Sequence, residues 1–134
     1  MIKRQLLRVL PFGLALLAAG PVAAGDAAPT QNQGVEQEVY GTLDVAGQMG
    51  IAGWNLRLRR LVLAPGGHTG LHKHADRPAI VRVIEGTLTV HDAGGATVEY
   101  GAGQSYPTDK TVEHWEENRG TTPVVLVVAD VLKP

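Results

Sequence analysis

Beyond residue 37 the chain shows short runs of apolar or alternating residues separated by turn residues, and it shows no helical period. A turn at Pro65-Gly66-Gly67 is predicted because proline fixes φ and glycine reaches positive φ without strain. Asp92-Ala93-Gly94-Gly95 predicts a hairpin connection. The pattern therefore predicts an all-β domain, with strands at 38–43, 56–64, 69–74, 79–84, 87–91, 97–100, 104–106, 111–115 and 123–132.

Two of these strands are apolar on more than one face. In the run 79–84, Ala79, Val81 and Val83 share one face, while Ile80 and Ile84 lie on the other, and residues 124–128 are apolar throughout. Such strands need cover on both sides, from a second sheet, an N-terminal arm or a partner subunit. We therefore expect a closed barrel, which has no exposed edges, and a homodimer.

The first residues have the pattern of a targeting segment. Lys3, Arg4 and Arg8 precede an apolar run at 9–19, and small residues at 22–24 suit cleavage before Gly25. The apolar run is short for a membrane span. We therefore expect a signal peptide at 1–24, a flexible arm at 25–37 and one domain at 38–134, with a periplasmic or secreted mature protein that has no membrane attachment.

The net charge limits the classes of binding partner, and the cysteine content limits how the fold can be stabilised. Cleavage would remove three of the twelve basic residues and none of the thirteen acidic ones, which leaves a net charge of −4. That charge argues against nucleic-acid binding. The chain has no cysteine, so an exported domain of this size must be stabilised by packing alone, and its few aromatic residues leave the core to aliphatic side chains.

Three histidines carry the strongest chemical signal. His72 and His74 are two residues apart, so on a strand both imidazoles project from one face, and His114 lies on another predicted strand. Three neutral imidazoles with open positions beside them are typical of a catalytic transition-metal site. Solvated strand histidines are the alternative.

These histidines fall on two motifs that resemble those of the cupin superfamily. Gly66, His72, His74 and Gly86 match the first motif, and Gly103, His114 and Asn118 match the second. The resemblance implies a double-stranded β-helix barrel of the jelly-roll type. It also implies that His72, His74 and His114 bind a divalent metal such as iron, manganese or zinc.

The sequence departs from the family pattern at two places. Ala79 occupies the position of the family's glutamate ligand, and Asp109-Lys110-Thr111 replaces its proline-x-glycine. A three-histidine centre resembles that of the thiol dioxygenases. Without the glutamate, the ion keeps its full charge, acidifies bound water more strongly, attracts anions and is held less tightly.

Three further polar residues are candidates for the site. Arg60 shares parity with Leu56 and Leu58, so an unbroken strand would turn it into the barrel, where it would bind a substrate anion; a bulge at 59–60 would turn it outward. Asn118 is expected to form hydrogen bonds in a turn or behind the ligands. Glu113 is expected on the surface, unless a bulge makes it a replacement ligand.

The remaining aromatic and imidazole side chains give weaker signals. We expect the histidines at 68 and 91 to lie on the surface. The tryptophans at 54 and 115 are expected to pack in the core or in an interface. For Tyr106 two roles stay open, a hydrogen bond at the metal centre and packing in the core.

Two functions follow as alternatives. The first is metal-dependent chemistry on a small, anionic or chelating organic molecule, with oxygenation at an iron site as its typical form. The second is a non-catalytic periplasmic module that binds a small ligand or a metal, which the absent glutamate favours. A barrel whose histidines no longer bind metal is the third reading.

Overall fold

The computed structural model describes residues 27–133. The predicted signal peptide at 1–24 lies outside the described residues. The strands and one short helix are β1 Gln33–Asp44, α1 Val45–Met49, β2 Asn55–His68, β3 His72–Lys73, β4 Ala79–Glu85, β5 Thr87–Asp92, β6 Thr97–Gly101, β7 Ser105–Thr108, β8 Glu113–Glu117 and β9 Val124–Leu132.

All strand pairs are antiparallel and belong to one sheet with the order β6-β5-β8-β2-β9-β4-β7. The strand β1 pairs with β2 outside this order, and β3 pairs with β8. The sheet curls into a nearly closed barrel, which confirms the prediction of an all-β domain. In the described part of the chain, no helix is long and apolar enough to cross a membrane.

The barrel interior is aliphatic, as the composition predicts. Alternate residues of β4 and the apolar run of β9 meet inside it because directly paired residues of antiparallel strands share a face. The buried hydrophobic residues are Leu61, Leu63, Ala79, Val81, Val83, Leu88, Tyr106, Val124, Val125, Leu126 and Val128. This packing takes the place of disulfides, since the chain has no cysteine.

The N-terminal boundary differs from the sequence-based expectation. β1 begins at Gln33, so residues 33–37 form a strand instead of the predicted flexible arm. The short helix α1 was not predicted. It begins where the Asp44 side chain accepts a hydrogen bond from the Ala46 amide, and it ends at Gly50 with φ +69°. Five residues are too few to show a helical period.

The strand β2 also runs further than expected. The predicted turn at Pro65-Gly66-Gly67 lies inside β2, which continues to His68. Gly66 has φ +73°, so its backbone bends the strand without ending it. The strand β3 is reduced to His72 and Lys73. The bend directs the chain from β2 toward β3 and β8.

Candidate metal centre

Strand register brings the three histidines together. His72 on β3 pairs directly with His114 on β8, so the two side chains share the interior face. His74 follows β3, and its amide donates to the carbonyl of Val112, which keeps it beside β8. The Nε2 atoms of His74 and His114 are 2.9 Å apart, and those of His114 and His72 are 3.1 Å apart.

These separations fit three ligands of one ion. With a metal–nitrogen distance of about 2.1 Å, ligands at right angles lie about 3.0 Å apart and tetrahedral ligands about 3.4 Å apart. The observed values are close to the first spacing. The three histidines therefore form a group that could hold a transition metal, with open positions on the side away from them.

Hydrogen bonds on the other ring nitrogen orient two of the imidazoles. The Nδ1 atom of His72 is 2.9 Å from the carbonyl oxygen of Gly70, and that of His74 is 2.8 Å from the carbonyl of Arg77. A carbonyl accepts only, so both Nδ1 atoms carry the proton and both Nε2 lone pairs face the common point. This is the arrangement that a metal-binding imidazole requires.

Burial favours the neutral form of His74 and His114. Desolvation lowers the pKa of His114 to about 4, and the neighbouring imidazoles and Arg77 act in the same direction against the attraction of Glu116. Desolvation also lowers the pKa of His74. Neutral rings are the form that binds a metal, so at neutral pH protons compete little for these two nitrogens.

Glu116 is a site residue that the sequence analysis missed. It lies two residues after His114 on β8 and so shares its face, which is the signal that could have revealed it. Its Oε1 is 3.4 Å from the Nε2 of His114 and accepts a hydrogen bond from the Tyr106 hydroxyl at 3.2 Å. Its Oε2 accepts one from Thr69 Oγ1 at 2.7 Å. A fixed carboxylate thus stands beside the centre.

The electrostatics of Glu116 follow from this setting. Burial opposes its ionisation, but the imidazoles of His114 and His72 and the two hydroxyl donors outweigh burial and lower its pKa. Within the described residues no lysine or arginine nitrogen lies within 4.0 Å of its carboxylate. The same carboxylate, together with burial, raises the pKa of Tyr106, which therefore stays a hydrogen-bond donor.

A cavity of about 380 Å³ opens beside the centre. It is small among ligand sites, which range from about 300 to 1,000 Å³. Its walls combine the imidazoles of His72 and His74 and the carboxylate of Glu116 with the guanidinium groups of Arg59 and Arg77. Aliphatic side chains of the core and polar residues of the N-terminal segment and β1 complete the wall.

The expected orientation of Arg60 is corrected by the structure. Residues 55–63 of β2 pair with β9 without a register shift, so no bulge turns Arg60 in this pairing, and the odd-numbered residues Arg59, Leu61 and Leu63 are the buried ones. Arg60 therefore faces outward, opposite Val127. The apolar even-numbered positions of β2 lie on the outer face, which is why parity pointed to the wrong arginine.

Asn118 and Glu113 lie where the milder expectations put them. Asn118 is buried, and its Nδ2 donates to the carbonyls of Leu63 and Thr122 at 3.0 and 2.8 Å, while Oδ1 accepts from the Gly120 amide. It thus fixes the chain after β8 and bonds to none of the three imidazoles. Glu113 points away from them and lies 3.6 Å from the Lys73 ammonium.

The other aromatic candidates lie away from the centre. The His91 ring stacks on Trp115 with centroids 3.9 Å apart and lies 2.7 Å from the Glu117 carboxylate. His68 meets the edge of Trp115. Trp54 lines an apolar hollow beside α1. These residues pack on the outer side of the barrel.

Ala79 lies next to a cluster of arginines around one aspartate. Its cross-strand neighbour on β9 is Asp130, whose buried carboxylate lies between several guanidinium groups. The family's glutamate position therefore faces an arginine–aspartate cluster in this chain. Thr108, the neighbour of Ala79 on β7, places its Oγ1 3.0 Å from His74 Nδ1.

The fold and the histidine cluster together define a cupin barrel with one candidate metal centre. A family model described as a cupin domain matches residues 59–130, more than half of the 134 residues, so the chain belongs to the cupin family. This confirms the resemblance inferred from the two motifs. No curated protein matches the sequence.

Several solved structures are similar to this chain. A predicted oxalate decarboxylase from Thermotoga maritima has 26% identity and a TM-score of 0.58, over 78% of this chain and 93% of that one. An oxalate oxidase solved with the substrate analogue glycolate has 25% identity and a TM-score of 0.54, over 89% and 58%. A polyketide cyclase from Streptomyces resistomycificus has 17% identity and a TM-score of 0.62, over 78% and 70%, and shows the fold alone.

Proposed function

We propose that this protein is a metal-dependent cupin that acts on a small anionic organic molecule. The observation that carries the proposal is the spacing of 2.9 and 3.1 Å among the Nε2 atoms of His72, His74 and His114. Three imidazoles that converge on one point have no structural need for one another, whereas a shared ion gives all three a partner.

Iron, manganese or zinc at this point would supply a Lewis acid with exchangeable positions, and iron would also allow oxygenation. The chain supplies the rest. The imidazoles hold the ion, and the Oε1 atom of Glu116 accepts a hydrogen bond or a proton from a molecule bound next to His114. Tyr106 and Thr69 keep that carboxylate in place, and the aliphatic wall excludes water.

Charge supports an anionic substrate. Arg59 and Arg77 line the same cavity as the imidazoles, and a divalent ion would add to their positive potential. The two similar structures with at least 25% identity bear names that refer to oxalate, and one contains glycolate. Both are small carboxylates, so we assign this substrate class without choosing one compound.

A non-catalytic binding module is the second candidate. Ala79 at the position of the family's glutamate favours it, because a centre with fewer protein ligands is held less tightly and supports turnover less readily. In this alternative the cavity retains an anion or a metal without changing it. We also propose that the protein is exported, on the residue pattern at 1–24, and that it forms a homodimer.

The test begins with protein purified without a nickel column. Elemental analysis should find close to one iron, manganese or zinc per chain, either directly or after loading with the single metal. Oxygen consumption is then measured with thiols, diketones, phenols and short carboxylates. His114→Ala should lose both metal and turnover, because it removes the central nitrogen, whereas His91→Ala on the outer side should keep both.

The outcomes separate the candidates. Turnover that depends on His114 supports the enzyme, and retention of an unchanged anion supports the binding module. Wild-type protein that takes up none of the three metals under loading contradicts the metal-dependent enzyme and a metal-binding module, and it leaves only a module that retains an anion.

A further inference from the structure

Arg59 is a buried guanidinium whose polar atoms are incompletely paired. The residue is only 8% exposed and lies in the cavity wall. Its Nη1 donates to Gln37 Oε1. Its Nε is 3.1 Å from Asp130 Oδ2 but lacks the direction of a hydrogen bond, and it has no other partner in the part of the chain that the structure describes. A buried cation in this state needs an anion.

Asp130 cannot fully provide that anion because Arg57 already occupies it. Arg57 donates from Nε to Oδ1 at 2.9 Å and from Nη2 to Oδ2 at 2.8 Å, which is a bidentate pair. Arg77 Nε is 4.0 Å from Oδ2. Three guanidinium groups therefore surround one buried carboxylate, and the cluster keeps an excess of two positive charges.

The excess charge faces the cavity of the candidate metal centre. Arg59 and Arg77 line it together with His72, His74 and Glu116, and the Glu116 carboxylate offsets one of the two positive charges. A volume of about 380 Å³ restricts an occupant to a short molecule. One end of such a molecule can reach the imidazole side while the other remains at the arginines.

We propose that Arg59, together with Arg77, forms a carboxylate subsite opposite the three-histidine centre, so that the cavity selects short molecules with an anionic group at each end. The preferred class is a dicarboxylate, or an oxo- or hydroxy-carboxylate with a second acid group. The metal-bound end of this assignment rests on the proposed function, whereas the arginine end rests on Arg59 alone. Guanidinium is suited to this task because its planar N–H groups match a carboxylate.

A purely structural role for Arg59 is the competing explanation. In that case Arg59 would serve only to balance Asp130. The bidentate pair with Arg57 already supplies that balance, and the Arg59 Nε points away from the hydrogen-bonding direction. Only the subsite role predicts that Arg59 affects ligand binding, so binding measurements can separate the two roles.

The experiment compares Arg59→Gln with Arg60→Gln. These arginines are adjacent on β2 but face opposite sides, so the pair is matched in charge and in strand position. Binding of malonate, succinate and glutarate is measured by calorimetry, with propionate and butyrate as single-acid controls, on metal-loaded and chelator-treated protein. Metal content, circular dichroism and the melting temperature are measured for each variant.

We expect one of the three diacids to bind at least tenfold more tightly than the single acids. Arg59→Gln should remove this advantage with unchanged metal content, and Arg60→Gln should keep it within twofold. If Arg59→Gln does not fold, Arg77→Gln replaces it, because Arg77 lies nearer the surface, and it should weaken diacid binding about threefold or more.

The outcomes distinguish this inference from the proposed function. Metal uptake without any diacid preference, or equal binding by the Arg59 and Arg60 variants, overturns the subsite and leaves the metal centre intact. A diacid preference that depends on Arg59 in protein that takes up no metal supports the subsite and overturns the proposed function. Loss of metal in Arg59→Gln with a native fold also overturns the subsite as described.

Discussion

His114 is the residue on which the centre depends most. Its Nε2 lies 2.9 Å from His74, 3.1 Å from His72 and 3.4 Å from the Glu116 carboxylate. Burial also lowers the pKa of this ring to about 4. The three short contacts just described therefore all involve this imidazole.

The stability of the metal-free protein should depend on pH through His114. The unfolded chain binds this proton below pH 6.5, while the folded chain binds it only below about 4. The free energy of unfolding should therefore fall as the pH falls from 6.5 to 4 and level off below, with a total loss of about 3 kcal/mol from this residue. Urea midpoints with a chelator at pH 7 and pH 4.5 measure the loss.

His114→Gln provides the control because glutamine does not titrate. Carboxylates contribute to the pH dependence of both proteins, so the difference between their slopes isolates His114. Identical slopes would show that His114 is not desolvated as described.

At the residue scale, the sequence predicted the histidine cluster better than its surroundings. The spacing of His72 and His74 and the position of His114 within its motif were sufficient to place the cluster. Arg59 was missed because β2 is apolar on both faces, so parity alone could not choose the interior. Glu116 was missed because the motif places its carboxylate at position 79, although the spacing of two residues from His114 on one strand could have indicated it.

At the scale of elements, tight turns hold the strands that frame the centre. Gly86 connects β4 to β5 with φ +78°, and a Cβ at this position would lie 2.9 Å from Val124 Cγ2 and 3.0 Å from the Pro123 carbonyl. Two constraints therefore act on this position: its backbone has a positive φ, and the start of β9 leaves no room for a side chain. Both constraints require glycine.

Gly86→Ala should destabilise the protein by about 2–3 kcal/mol, since the side chain adds both a strained φ and a clash. Gly95→Ala is the matched control because Gly95 has φ +90° but nothing within 4 Å of its would-be Cβ, so only the strain remains, about 1 kcal/mol. Denaturant midpoints compare the two. A smaller loss at position 86 than at position 95 would contradict the packing described here.

Strand positions were predictable from the sequence to within a few residues, except where polar residues concealed them. β1 begins five residues earlier than expected because Gly34 and the glutamines look like linker, yet Gln33 and Gln37 pair with β2. The segment 69–74 is mostly irregular because its amides bond to the loops around it, as in the bond from the Leu71 amide to the Pro29 carbonyl.

At the scale of the whole molecule, the main feature is the outer face of β2, β9 and β4, which a single chain leaves uncovered. Large apolar side chains are exposed there, and a hollow lined only by apolar residues adjoins Leu56. The exposed members of this apolar face are Leu56, Leu58, Ile80 and Ile84 on β2 and β4, and the adjoining exposed residues are Leu43 on β1, Met49 on α1 and Ile51 after it. A second copy is a suitable cover because a twofold contact places this face against itself, with Arg60 and Glu38 at its rim.

The homodimer can be tested by a charge on this face. Leu58→Glu should convert a dimer into a monomer in size-exclusion chromatography with light scattering, because the charge would be buried without a partner. Val98→Glu is the control, since Val98 is 50% exposed on β6, away from the face. A wild-type monomer at high micromolar concentration would exclude the dimer.

Residues at the beginning of the described chain form one wall of the cavity. Thr30 and Asn32 belong to it, and the Asn32 Oδ1 and the Pro29 carbonyl hold it by accepting hydrogen bonds from the Gly70 and Leu71 amides. Each such bond contributes only about 1 kcal/mol, so peeling this segment away is a low-energy event compared with opening the barrel. We therefore expect that removal of residues 27–32 would speed the release of a molecule bound in the cavity.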